Sequence, residues 1–134
     1  MTHSTPRERR ALIVDDYPDA GESLALLLQM WGYGTVVAPD GRAALRLAAA
    51  ERPDVVILDG VMPGMTGWDL APLLQGAPGL ERTLLLMVSG RDQPEDRRRS
   101  LEAGCHLHLA KPVDPVTLRN ILSRWEEQVE RFAP

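Results

Sequence analysis

Four apolar runs in this sequence each end in a group suited to handling phosphate or a metal ion. Ala11 to Val14 runs into the adjacent carboxylates Asp15 and Asp16, and Val55 to Leu58 runs into Asp59. Leu84 to Val88 ends at Ser89-Gly90, and Leu107 to Ala110 ends at Lys111-Pro112. If the runs are parallel strands of one sheet, their polar ends meet at one edge, where open α/β sheets bind ligands. Three carboxylates in contact repel one another, so without a cation at least one tends to take up a proton. A divalent cation relieves this, and an all-oxygen set suits magnesium; there is no His or Cys cluster with zinc spacing. Singly, each residue also has a plainer reading: Asp59 as a strand end, Ser89 as turn chemistry before Gly90, Lys111 as a surface lysine.

The elements that must position these groups follow from periodicity. Four apolar residues between Pro53-Asp54 and Gly60 suit a strand buried on both faces. Leu24, Leu27, Leu28 and Trp31 recur at helical spacing after a turn at Tyr17-Pro18-Asp19, and Gly32 and Gly34 are expected to end that helix. Thr35 to Ala38 reads as a short strand. Arg42 to Arg52 reads as an alanine-rich helix with Ala44, Leu45 and Ala48 inward, stopped by Pro53. The loop Met62 to Gly67 leads to a helix carrying Leu70, Leu73 and Leu74; Pro72 inside it predicts a late start near Asp69 or a kink. Asp92 is the expected cap of a helix with Pro94 in its first turn, Leu101 as its main apolar anchor and Gly104 at its end. So thin an apolar anchor predicts an element that shifts at low cost. Asp114 and Pro115 open a last helix with the stripe Leu118, Ile121, Leu122, Trp125 and Val129. Strands alternating with helices predict a doubly wound α/β fold with right-handed crossovers.

The chain has 134 residues, enough for one domain with a core that needs no staples. With 15 basic and 19 acidic residues, a formal charge of −4, it carries no general signal for nucleic acid or an anionic membrane. Cys105 is the only cysteine, so no internal disulfide forms, and beside Leu107 it reads as a small core residue. Residues 1 to 10 lack a period and are expected to form a frayed tail, with Arg7, Arg9 and Arg10 solvated, ahead of a domain spanning 11 to 132. No stretch approaches a membrane span or a leader, and a cytoplasmic location is expected. Arg97, Arg98 and Arg99 read first as a solvated face, then as a partner surface.

The ordered set DD, then D with MPGMTG, then SG, then KP, over about Ala11 to Val129, resembles the receiver domain of two-component response regulators. The resemblance implies a flavodoxin-like fold: a five-stranded parallel sheet in the order 2-1-3-4-5 with five helices. It also implies a signalling domain that phosphorylates and dephosphorylates itself and turns over no separate substrate. Asp59 would be the phosphoacceptor. Asp16 and Asp59 would bind Mg2+ directly, Asp15 mainly through a metal-bound water, and the backbone carbonyl of Val61 would add another oxygen. Ser89, where many receivers carry Thr, would hydrogen-bond a phosphoryl oxygen, and Lys111, at a cis peptide in this family, would offset the added charge. A sensor histidine kinase or histidine phosphotransfer protein would be the donor. The signal would leave through an unknown downstream protein, from a monomer or weak homodimer.

Three positions depart from or vary within the family pattern. His108 stands three residues before Lys111, where receivers often carry Tyr or Phe as a rotamer switch; it would either couple to Ser89 or point outward from an edge strand. Val61 and Arg91 occupy variable loop positions that influence acyl-phosphate lifetime in this family. The alternatives are a receiver segment of a hybrid histidine kinase passing phosphate onward, a receiver serving only as a scaffold, and a haloacid-dehalogenase-type phosphatase. The last spaces its two aspartates one residue apart, whereas Asp15 and Asp16 are adjacent.

Overall fold

Strand positions alternate between two faces, and here both faces are apolar, which forces helices onto each side of the sheet. The computed structural model describes residues 8–131. In chain order the elements are β1 (Arg10–Val14), α1 (Pro18–Met30), β2 (Gly34–Ala38), α2 (Gly41–Glu51), β3 (Val55–Asp59), α3 (Gly67–Gln75), β4 (Leu84–Ser89), α4 (Pro94–Glu102), β5 (Leu107–Ala110) and α5 (Pro115–Arg131). The strands are parallel and ordered β2-β1-β3-β4-β5. Ile13, Ile57 and Leu86 pack with α1 and α5 through Leu28, Leu118 and Leu122. Their neighbours Leu12, Val56 and Leu85 face the opposite side, under Ala44, Ala48, Leu70 and Leu74 of α2 and α3. Every residue of β3 and β4 is buried. Among the described residues no helix is long and apolar enough to cross a membrane.

Several local expectations are corrected by the packing. Gly34 does not end α1: Gly32, at φ +91, makes that turn, and Gly34 is already the first residue of β2. Helix α3 starts at Gly67 rather than late, because Thr66 and Asp69 form a capping box there, and Pro72 sits in its interior. Helix α4 is entered from Gln93, whose backbone N–H donates to Asp96, since the Asp92 carboxylate turns instead to Arg97 at 2.6 Å. Leu101 is 56% exposed and does not anchor α4; the buried residue of that helix is Ser100. On α5, Val129 is 43% exposed, lying beyond the end of the stripe that meets the sheet.

The frayed tail expected for residues 1 to 10 falls largely on residues 1–7, outside the described residues. Arg9 and Arg10, however, are engaged. Arg10 opens β1 and pairs with Glu51 at 2.9 Å, while Arg9 pairs with Glu130 at 3.1 Å and lies over the Trp125 ring. Nearby, the buried Tyr33 hydroxyl donates to Glu126 at 2.5 Å, and Arg119 grips the same carboxylate from over Trp31. This cluster fixes α5 to α1.

Burial pushes the Tyr33 phenol upward, with Glu126 adding to the effect. Burial alone would raise Glu126 too, but its bonds from Arg119 and Tyr33 hold it below the usual carboxylate range. The folded state therefore keeps the Tyr33 proton more tightly than the unfolded chain does. The resulting stability is full below about pH 10 and is lost as pH climbs beyond it. Tyr33→Phe is expected to cost about 2 kcal/mol at neutral pH and to flatten the alkaline loss, checked by denaturant titration across pH.

Candidate functional site

The parallel register delivers the ends of β1, β3, β4 and β5 to one edge. Asp15 lies 8% exposed at the end of β1, its backbone N–H bonded to Ala38 and its carboxylate accepting the Tyr17 N–H at 2.9 Å. Asp16 follows, exposed. Asp59 ends the central strand, buried, and accepts the Val61 N–H at 3.2 Å. Oxygens of Asp15, Asp16 and Asp59 all come within 4.8 Å of one another. From β5, Lys111 Nζ reaches to 3.2 Å from Asp59 and 3.8 Å from Asp15, and the Lys111-Pro112 peptide is cis.

The loop after β3 is fixed by small residues. A Cβ on Gly60 would press on Trp68 and on Ser89, and one on Gly67 would run into the Asp59 carbonyl. Gly64, at φ +79, makes the turn between them, and Met65 packs against Gly41 at the start of α2. Ser89 is fully buried and its Oγ accepts the Arg91 N–H at 3.0 Å.

Thus Asp15, Asp16, Asp59 and Lys111 gather as their spacing predicts, with Ser89 on the neighbouring strand. His108 does not point outward. Its ring is buried, with Nδ1 2.7 Å from Ser100 Oγ and Nε2 2.9 Å from the Arg91 carbonyl. Sequence reasoning missed Trp68 and Ser100, which are hydrogen-bonded to each other at 2.9 Å. The available signal was a lone serine on a charged helix, eight residues before His108. Cys105 is buried as expected, and burial pushes its thiol up to about 12.

These groups fit a hard divalent cation: three carboxylates, oxygen donors only, against one ammonium. The response regulator receiver domain model matches residues 11–123. The chain belongs to the response regulator receiver domain family. It is 35% identical to response regulator MprA of Mycolicibacterium vanbaalenii over 125 residues, 93% of this chain and 52% of that relative. The chain thus spans about half the length of such curated relatives. Chemotaxis protein CheY4 of Vibrio cholerae superposes with a TM-score of 0.82 at 33% identity, covering 87% of this chain and 98% of that one. The receiver domain of a signal transduction histidine kinase from Syntrophus aciditrophicus gives 0.81 at 35% identity, covering 92% and 93%. Receiver domains bind Mg2+ at an acidic cluster, and the cluster of this receiver is Asp15, Asp16 and Asp59.

Burial raises Asp59 above the usual aspartate range, the Lys111 charge opposes this, and Asp15 adds to it. A raised folded-state value means that stability is full below about pH 3.9 and falls as pH rises through the elevated value. Asp59→Asn removes that loss. In EDTA at neutral pH the variant is expected to melt above the wild type, with the gain gone near pH 3; lower melting at neutral pH would contradict the reading.

Proposed function

We propose that this receiver accepts a phosphoryl group on Asp59 from a phosphohistidine and passes the signal on by altered protein contacts. The observation that carries it is the buried carboxylate at the end of the central strand, 3.2 Å from an ammonium and with oxygens of two further carboxylates within 4.8 Å. A carboxylate oxygen of Asp59 attacks phosphorus, the P–N bond to the donor imidazole breaks, and the imidazole leaves with the bonding pair and takes up a proton. The product is an acyl phosphate, which water later hydrolyses. Asp16 and Asp59, the Val61 carbonyl, and Asp15 through water would hold Mg2+, which when bound offsets carboxylate repulsion and orients the phosphate. Lys111 neutralises charge on the transferring group, and the Ser89 hydroxyl donates to one of its oxygens.

A cleft of about 510 Å³ opens beside Asp59 and Lys111, lined by Leu24, Leu27, Pro112 and Val113. It supports docking of a histidine kinase or phosphotransfer protein, whose apolar side chains beside the phosphohistidine would fill it. On the other side, exposed Leu101 and Leu107 offer apolar area on α4 and β5 for a downstream protein. The reading is of a cytoplasmic domain over residues 11 to 132, monomeric or weakly dimeric. It modifies only itself.

The test is phosphotransfer from a phosphohistidine donor, followed as label in the protein. Asp59→Asn, correctly folded, is expected to take up none. Lys111→Ala should slow uptake on the order of 10²-fold. Asp16→Ala should weaken Mg2+ binding and labelling together. Equal labelling rates in excess EDTA and in Mg2+ would overturn the metal assignment.

A further inference from the structure

The loop between Asp59 and α3 carries the Val61 carbonyl proposed above as a metal ligand, so whatever holds this loop bears on the site. Its two ends are tied by hydrogen bonds. Gly60 N–H donates to the Val88 carbonyl at 3.0 Å, and Val61 N–H to the Asp59 carboxylate at 3.2 Å. At the far end Gly67 N–H returns to the Gly60 carbonyl at 3.0 Å, and Thr66 and Asp69 close the capping box. Between these ends lie Met62, Pro63, Gly64 and Met65. Pro63 and Gly64 are exposed, so of these four it is the two thioethers that attach the loop to the body. Met62 is buried in the cluster under α2 and α3, and Met65 packs half-buried against the same cluster.

Met65 sits where Gly41 leaves room. Gly41 is buried as the first residue of α2, and Asp40 before it caps that helix by accepting the Ala43 N–H at 2.8 Å, so the seat is fixed. A Cβ built on Gly41 would lie 2.5 Å from Met65 Sδ and 3.2 Å from both its Cβ and Cγ. Turning the thioether end alone would relieve only the first of these contacts. The other two require the whole Met65 side chain, and with it the loop, to move. The seat is also open on one side, to a cleft of about 550 Å³ lined in part by Asp40, Gly41, Met65 and Asp69. Met62 and Met87 are buried, and Met30 is 80% exposed at the far end of α1. Met65 therefore differs from these three in combining access to solvent with a hold on the loop. A sulfoxide adds an oxygen and a strong dipole to the thioether, and a close-packed seat on a glycine backbone accommodates neither.

We propose that Met65 is a site of oxidation by peroxides, and that its sulfoxide leaves the Gly41 seat, frees the loop carrying the Val61 carbonyl and weakens Mg2+ binding. In the step itself a sulfur lone pair attacks one peroxide oxygen and the O–O bond breaks. The other oxygen leaves with the bonding pair and takes up a proton, as water or an alcohol. Sulfur loses two electrons and the peroxide gains them. Met65 is a positioning residue, acting on the metal site through the loop backbone. A seated loop presents its carbonyl already ordered, whereas a released loop must be ordered again each time the ion binds. The carboxylates and Lys111 keep their places, so the chemistry at saturating Mg2+ is unchanged and only the Mg2+ needed to reach it rises. This rests on the Mg2+ site and the acceptor role of Asp59 proposed above.

The test treats the full chain carrying Met30→Leu with hydrogen peroxide, and peptide mass mapping locates the added oxygen. Met65 should take it up ahead of Met62 and Met87. Mg2+ affinity is then read by NMR titration of the Asp59 and Val61 amides, and phosphotransfer labelling is followed across Mg2+ concentrations. Oxidation should raise the Mg2+ Kd several-fold and slow labelling at low Mg2+, with the untreated rate regained at saturation. Met65→Leu fills the seat without sulfur, so it should bind Mg2+ as the untreated protein does and ignore the same peroxide dose. Gly41→Ala, correctly folded, should raise the Kd several-fold with no oxidant present. An unchanged Kd in protein oxidised at Met65, or an equal loss of affinity in treated Met65→Leu, overturns the proposal. Slow labelling that persists at saturating Mg2+ overturns it as well, since that marks general damage rather than a released loop. Failure of the untreated chain to bind Mg2+ overturns the metal assignment, and this proposal with it. If the chain binds Mg2+ but Asp59 takes no label, the acceptor reading fails while the titrations still decide the role of Met65.

Discussion

Crowding of negative charge at the carboxyl edge of the sheet is the constraint on which the rest of this structure depends. Asp59 is buried beside Asp15 and Asp16, and the ammonium of Lys111 lies 3.2 Å away. Burial raises the Asp59 carboxyl, and Lys111 only partly opposes it. Such a site persists only if the surrounding frame is stiff enough to hold it. The frame is the pair of fully buried strands β3 and β4, with helices on both faces. The small residues Gly60 and Gly67 belong to the same requirement, since a side chain at either would push on Ser89, Trp68 or the Asp59 backbone.

The parts of this arrangement that were legible in the sequence are those governed by long apolar runs. Val55 to Leu58 and Leu84 to Val88 have no polar alternation, so they must be buried on both faces, and their ends then bring Asp59 and Ser89 to one edge. Local boundaries were less legible because charged side chains had rival partners. Asp92 has the chemistry of a helix cap, yet Arg97 claims its carboxylate and Gln93 takes the cap position. Arg9 and Arg10 look solvated in sequence, but each finds an acid far along the chain, Glu130 and Glu51. Leu101 looked like an anchor because hydropathy does not reveal which face of a short, charged helix meets the sheet. The same limit hid Ser100 and Trp68, whose significance lies in a bond between two segments thirty-two residues apart.

Two modes of attachment therefore coexist in one small domain. Helix α5 is held by Leu118 and Leu122 and by the Tyr33, Glu126 and Arg119 cluster, which together make a stiff joint. Helix α4 is held by a buried hydroxyl and an imidazole, with its leucine left outside. Apolar contacts are tolerant of small displacements, whereas hydrogen bonds are directional and weaken steeply when bent. An element held by directional bonds responds to small rotations at its partners. That property suits the face proposed above for a downstream protein.

The central claim, that Asp59 rather than Asp15 or Asp16 carries the phosphoryl group, is tested most directly by chemical trapping at residue resolution. Borohydride reduces an acyl phosphate to an alcohol and leaves free carboxylates unchanged, so the modified aspartate becomes homoserine. After phosphotransfer, reduction and peptide mass mapping, the account predicts homoserine at position 59 alone. Homoserine at position 15 or 16, or an unreduced sequence in protein that carries the phosphoryl label, would contradict it.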